Sequence, residues 1–394
     1  MISGSIGDNL DLNFLISENK ISKAGYHNKL AIKYSDECPS QMINISLYLY
    51  LEKIKSGIDT CANLWEKYKK YTNPYEYIHT PTRKGGTPIC SLKPLSRSYF
   101  KMIEIVNMLH LKEEFPKTMT TFHLAEGPGG FIEAICKLRK NSNDIYYGMT
   151  LQNDLETSIP GWKKSEMFLL KHPMVKLENG VDGTGDLTHA ENLRYCWDHY
   201  HNSMDLITGD GGFDFSVDFN RQEVSSTKLI FCQIAFAIAM QKKGGTFVIK
   251  FFDTFTSASI DLLFLLSILY KEVYFTKPYT SRCANSEKYV VCKYFKLENS
   301  EAIVKKIHSI LTHYDDDKFI HRILDIDIPK LYITRIEEFN AIYGQRQLET
   351  ISNTLQIIEN PILEKLQELN KKHIQKCKRW CQKHDMPYHN EFSK

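Results

Sequence analysis

Between about residue 96 and residue 297, short β-rich runs alternate with helix-length segments, and this alternation limits the fold more than any other feature of the chain. The strand candidates are TTFHLA (120–125), IYYGMT (145–150), VKLE (175–178), MDLITGD (204–210), GTFVIKFF (245–252), EVYFTK (272–277) and KYVVCKYF (288–295). Helices are expected over 97–109, 130–140, 222–242 and 257–270. Such a sequence predicts an α/β fold: a mostly parallel sheet with helices on both faces. Ligands of such sheets sit at the carboxyl ends of the strands.

The flanks differ. Residues 1–40 are polar and irregular, and from Leu47 apolar positions at Leu51, Ile54, Ile58, Cys61, Trp65 and Tyr68 step by threes and fours, the stripe of an amphipathic helix. NPYEYIHTPTRKGGTPICSLKP (73–94) reads as a loop. Beyond 300 the pattern turns helical, and the segment 361–384 carries seven basic residues against two acidic ones. That helix either touches nucleic acid or presents a solvated face. His373, Cys377 and Cys381 lie on one stripe of it, a spacing for helix packing rather than for zinc, so no metal is expected. The division that follows is a helical extension with a basic loop over 1–95, a central domain over 96–297 and a helical region over 298–394.

The chain is long enough, at 394 residues with 42% hydrophobic content, to bury a real core. Its apolar runs at 229–240 and 261–270 fall short of the roughly 20 residues a membrane helix needs, so they are expected to be core helices and no membrane is expected. The start of the chain lacks the pattern of a secretory signal, and ten cysteines show no tight spacing, which points to a reducing intracellular compartment. The net charge of +3 gives no argument for nucleic acid by itself; any such contact must come from local clustering.

HLAEGPGGFIEA (123–134) places Gly127, Gly129 and Gly130 between a strand and a helix, the arrangement that brings backbone N–H groups and a helix N-terminus up to a ligand. A dinucleotide is disfavoured because Ile132 stands where G-x-G-x-x-G needs its third glycine. Glu126 also disfavours a diphosphate, and a cationic, amino-acid-like ligand such as S-adenosylmethionine fits better. Further on, Asp186 sits in a glycine-bracketed loop where it or its backbone could meet an adenine amino group. Asp210 ends a strand before two glycines, and Lys250 stands among Val248, Ile249, Phe251 and Phe252, where an ammonium needs a partner.

SRSYFKMIEI (96–105), LAEGPGGF (124–131), GDGGF (209–213), GGTFVIKFF (244–252) and KPYTSRCANSEKYVVCK (277–293) stand in the order, and at similar spacings, of the FtsJ-like ribose 2′-O-methyltransferases. The resemblance is greatest to the cap-specific mRNA branch, which includes proteins of large DNA viruses. It covers 96–297 and implies a Rossmann-like, S-adenosylmethionine-dependent methyltransferase. The family's Lys-Asp-Lys-Glu tetrad then falls on Lys101, Asp210, Lys250 and Glu287, at intervals of 210 − 101 = 109, 250 − 210 = 40 and 287 − 250 = 37 residues. The cofactor loop corresponds to Ala125, Glu126, Gly127, Pro128, Gly129, Gly130 and Phe131, with Asp210, and the adenine-side loop to Gly185 and Asp186. Substrate contacts carry over to Asn220, Gln222 and Asn285. Many Rossmann-type methyltransferases end the second strand with an acid for the ribose; IYYGMTLQ has none, as in the cap-specific branch.

The chemistry accounts for these residue types. A ribose 2′-hydroxyl is a poor nucleophile until a base shares its proton. A free lysine, with a reference pKa near 10.4, is a weak choice at neutral pH, but two lysines in one cleft depress each other's pKa while carboxylates hold them in place. Lys250 is expected to take the proton, Asp210 to orient it, and Lys101 with Glu287 to position the ribose. RNA is the expected partner, capped mRNA in particular, together with other capping or transcription proteins. The location would be cytoplasm, virion or viral factory for a viral protein and nucleus for a cellular one. The alternatives are methylation of ribosomal or transfer RNA, and a non-catalytic RNA-binding or scaffold subunit. Arg83 and Lys84 form a basic loop that either contacts phosphate or is solvated.

Overall fold

The computed structural model describes residues 13–18, 29–83, 85–152, 161–212 and 221–392. Its centre is an eight-stranded sheet in the order β1-β8-β9-β7-β6-β3-β4-β5. The strands are β1 (Asn13–Glu18), β3 (Thr120–Leu124), β4 (Ile145–Met149), β5 (Val175–Glu178), β6 (Met204–Gly209), β7 (Gln241–Phe251), β8 (Tyr270–Thr276) and β9 (Lys288–Phe295). From β7 to β5 every pairing is parallel, whereas β9, β8 and β1 add antiparallel strands at the other side. This is the α/β, mostly parallel arrangement that the strand and helix alternation predicts, and the Rossmann-like one that the family resemblance implies.

Burial on both faces explains the apolar strands. Along β7, Phe247 and Ile249 join one core while Val248 joins the other, the alternation that a strand's period of two requires. The first core is closed by α8 (Gln222–Met240) and α9 (Ser257–Leu269), whose own residues are buried almost all round. The second is closed by α3 (Ser98–Met108), α5 (Gly130–Arg139) and the buried stripe of α12 (Leu363–Lys383). In that stripe His373, Cys377 and Cys381 are buried against the rest of the chain, and among the described residues no cluster of metal-ligating side chains occurs. Three further helices matter below: α1 (Ile45–Asp59), α2 (Ala62–Tyr68) and α11 (Lys330–Glu359).

The flanks depart from expectation. The segment read as irregular supplies β1, which pairs with β8, and β2 (Leu30–Ser35), which pairs with β10 (Phe319–Leu324) inside the stretch read as helical. Register shifts break the alternation of both pairings, so neither β1 nor β10 shows a clean period of two. β10 is instead fixed by a buried carboxylate, Asp261, which accepts the N–H groups of Ile323 and Leu324 and pairs with Arg322. The apolar run at 229–240 is also longer than it looked. It lies within α8, whose 19 residues are long and apolar enough to cross a membrane, yet the helix is mostly buried in the fold.

Candidate active site

Strand order reverses beside β3, because β4 and β5 lie on one side of it and β6 and β7 on the other. A crevice forms at the carboxyl ends there. Asp210 leaves β6 with its N–H donating to the Leu124 carbonyl at 3.3 Å, and Glu126 leaves β3 with its N–H on the Met149 carbonyl at 3.2 Å. Lys250, near the end of β7, donates to the backbone carbonyl of Asp210 at 2.7 Å and lies 3.4 Å from its carboxylate.

A second pair faces the first. Lys101 of α3 lies 2.7 and 2.8 Å from the two carboxylate oxygens of Glu287, the residue that precedes β9. Burial alone would raise the Glu287 carboxyl, but Lys101 and then Lys250 outweigh it and hold the group well below the usual carboxylate range. The four residues of the expected tetrad are thus brought together as two ion pairs whose charges reach each other. All four side chains are 12–16% exposed, so water screens them little while a substrate can still reach them.

Two residues that motif reading passed over complete the arrangement. Tyr289, paired with Lys250 across β7 and β9, donates its hydroxyl to Asp210 Oδ1 at 2.8 Å and lies 3.5 Å from Lys101 Nζ, so it links the two ion pairs. The fully buried Phe131 packs on its ring, with centroids 5.9 Å apart. Lys277 stands behind Glu287 and donates to the carbonyls of Glu287 (2.6 Å) and Asn285 (2.9 Å) and to Asn285 Oδ1 (2.8 Å). Its burial lowers its pKa to about 8. Both lie in KPYTSRCANSEKYVVC, and a buried lysine or tyrosine beside a carboxylate is the signal that could have found them.

The glycine turn joins β3 to α5, as the strand–turn–helix reading expects. A Cβ on Gly127 would come within 2.8 Å of the Gly161 carbonyl, and one on Gly130 within 2.1 Å of Ser98 Oγ. Gly129 has φ +103° and packs near Trp162 and Leu95. Side chains at Gly127 and Gly130 are thus excluded by the chain's own neighbouring loop and helix. Phe131 and Ile132 give their N–H groups to Glu126 Oε1, at 2.7 and 3.1 Å, so the start of α5 is capped from within. Pro128 accepts from Ser165. Gly185, at φ +66°, abuts the Thr150 carbonyl, and Asp186 Oδ1 is engaged by Thr188 at 2.8 Å. Ala125, Glu126 and Asp210 remain at the crevice. Burial raises the Glu126 carboxyl well above its ordinary range, and the Asp210 charge adds to that, while Lys250 opposes it. A crevice that brings two acids so close fits a cationic ligand such as S-adenosylmethionine and opposes an anionic diphosphate.

Lys250 and Glu287 open on a cleft of about 580 Å³, with Gln222 and Asn285 in its wall. Gln222 accepts from Ser286 at 2.6 Å, and Asn285 is held by Lys277. Asn220 and Lys84 lie outside the described residues, and Arg83 is exposed on its loop away from the cleft lining. The opposite wall comes from the flanks: Asp59 and Trp65 from α1 and α2, Gln347 and Thr350 from α11. No local motif marks this wall, because its residues come from opposite ends of the chain.

Residues 94–295 match the FtsJ-like methyltransferase family. Among curated proteins, the chain is 33% identical over 237 residues to cap-specific mRNA (nucleoside-2'-O-)-methyltransferase 1 of Mus musculus, covering 58% of this chain and 28% of that protein. It is 26% identical over 338 residues to the Dictyostelium discoideum protein of that name, covering 80% and 44%. Thus the chain spans less than half the length of these relatives. Among solved structures it is similar to a putative ribosomal RNA methyltransferase from Plasmodium falciparum, with 20% identity, a TM-score of 0.35, and 51% and 98% of the two chains covered. Taken with the tetrad and the crevice, the match over half its length shows that this chain belongs to the FtsJ-like methyltransferase family, whose methyl donor is S-adenosylmethionine.

Proposed function

We propose that this chain methylates the ribose 2′-hydroxyl of a cap-proximal nucleotide of mRNA. The observation that carries the chemistry is the pair of ion pairs, Lys250 with Asp210 and Lys101 with Glu287, joined through Tyr289 at the mouth of one cleft. Ala125, Glu126 and Asp210 would hold S-adenosylmethionine, which would supply an electrophilic methyl group with a neutral thioether as the leaving group. In its unprotonated form Lys250 accepts the hydroxyl proton, with the Asp210 carbonyl, which accepts from Nζ at 2.7 Å, holding the amine in place. Lys101 and Glu287 position the ribose, which makes the reaction one of orientation and proton removal.

The choice of capped mRNA is supported by the names of the relatives and by the composition of the cleft. Trp65 offers a ring on which a base can stack, and the Asp59 and Glu66 carboxylates offer acceptors for the donor edge of a guanine. All ten cysteines are free, consistent with action in a reducing compartment inside a cell.

Transfer of tritiated methyl to matched short RNAs, capped and uncapped, followed by nuclease digestion, tests this reading. Label on the 2′-oxygen next to the cap, absent from uncapped RNA, is the expected result. Equal labelling of uncapped RNA would move the substrate to ribosomal or transfer RNA, and no label on any RNA despite cofactor binding would indicate a scaffold subunit.

A further inference from the structure

A second cavity, of about 520 Å³, shares no lining residue with the catalytic cleft. It runs along the outer stripe of α5, past Glu133, Cys136, Lys137 and Lys140, and is closed by Lys93 on one side and by Phe168 and His172 on the other. Its size lies within the range of small-ligand pockets.

Charge and shape together select the occupant. Lys93, Lys137 and Lys140 are exposed at the rim, and among the described residues none of them makes an ion pair. Three positive charges thus stand against one carboxylate in the lining of this groove. The one carboxylate in the lining, Glu133, is turned to the Leu95 N–H, which it accepts at 2.7 Å. Beneath the rim lie Tyr99 and Tyr146, both buried, and Phe168, whose ring has His172 at 4.4 Å. Lys137 lies in the last turn of α5, and Lys140 is the left-handed residue that ends the helix. Phe168 and His172 are the rings part-exposed in the groove, and exposed rings with point charges beside them are how single-stranded nucleic acid is held without regard to sequence, by stacking and by phosphate neutralisation.

We propose that this groove binds a nucleotide of the RNA strand outside the catalytic cleft, with the lysines on phosphates and the Phe168 and His172 rings beside a base. The proposal rests on RNA being the substrate, and it adds a second contact that a minimal capped substrate would not reach.

The experiment compares wild type with the triple variant Lys93→Glu, Lys137→Glu, Lys140→Glu. Binding of a capped RNA of about twenty nucleotides is followed by fluorescence anisotropy over a salt series, and methyl transfer is followed on a capped trinucleotide. An equal charge reversal on α12, at Lys365, Lys371 and Lys372, controls for net charge. The groove variant should bind the long RNA at least ~10-fold more weakly, and its slope of log affinity against log salt should flatten by about 2, from ~0.7 per phosphate on a single strand. Transfer to the trinucleotide should stay within two-fold of wild type, and the α12 variant should keep the wild-type slope. An unchanged slope in the groove variant, or an equal loss in the α12 variant, would overturn the proposal. Displacement of the long RNA by a free mononucleotide at similar concentration would overturn it too, assigning the groove to a small ligand. If wild type itself methylates no RNA, the fault lies with the proposed function, a result the salt slope does not confuse with failure of the groove.

Discussion

At the ends of β7 and β6, Lys250 and Asp210 meet through polar groups that open on a cleft, whereas at the end of β3 the glycines are pressed against the protein's own loop and helix. Both regions stood out in the sequence, one for its charges and one for its missing side chains. The difference is that a charge amid apolar residues demands a partner, so its neighbours are predictable in kind, while a glycine says only that something is close. Replacing Lys250 by Ala should therefore remove chemistry and leave the fold. Methyl transfer should drop by roughly 10²- to 10⁴-fold, the usual cost of a lost general base. Thermal unfolding and cofactor binding should change little, and activity within a few-fold of wild type would dismiss Lys250 as the base.

The glycine turn should respond in the opposite sense. Gly129→Val forces a β-branched residue to φ +103° beside Trp162, and Gly130→Val drives a side chain into Ser96 and Ser98. Strain at such a backbone position costs of order 1–3 kcal/mol, before any clash is counted. Both variants are expected to lose thermal stability, and to lose S-adenosylmethionine binding only together with it. A variant that kept its melting temperature but lost the cofactor would restore a ligand to the space beside the glycines.

How much was legible follows the same line. The parallel strands and their helices were readable because burial on both faces leaves continuous apolar runs, as in β7, and because the motifs around Lys101, Asp210, Lys250 and Glu287 are local. β1 and β10 were not, since their places are set by backbone pairing with β8 and β2 and by the buried Asp261 carboxylate. The cleft wall escaped for a related reason: Trp65 and Gln347 stand far apart in sequence and meet only when α2 and α11 pack. Gly127 and Gly130 were readable as close approaches, but their neighbours, Gly161 and Ser98, were not.

Lys277 sharpens the comparison, as a half-buried charged group that is partnered like the tetrad. Its folded pKa of about 8 lies below the unfolded value near 10.4. Between those values the unfolded chain binds more protons, so this lysine makes stability rise with pH across about pH 8 to 10, and its full burial penalty applies below 8. Lys277→Met lacks that contribution. Urea unfolding at pH 8 and pH 10 should show the stability of wild type relative to the variant increasing with pH, and a flat difference would mean that Lys277 is not charged at a cost in the folded protein.

The smallest expected effect falls on the link between the two ion pairs. Tyr289→Phe keeps the buried ring against Phe131 and removes only the hydroxyl that donates to Asp210. A net hydrogen bond is worth about 1 kcal/mol, so methyl transfer should decline roughly five-fold. The size of the loss matters less than its dependence on the other pair. If the hydroxyl couples Asp210 to Lys101, removing it in a Lys101→Met background should cost less than in wild type, and the two losses will not add. Strict additivity would show that the tetrad works as two separate pairs, with Tyr289 serving Asp210 alone.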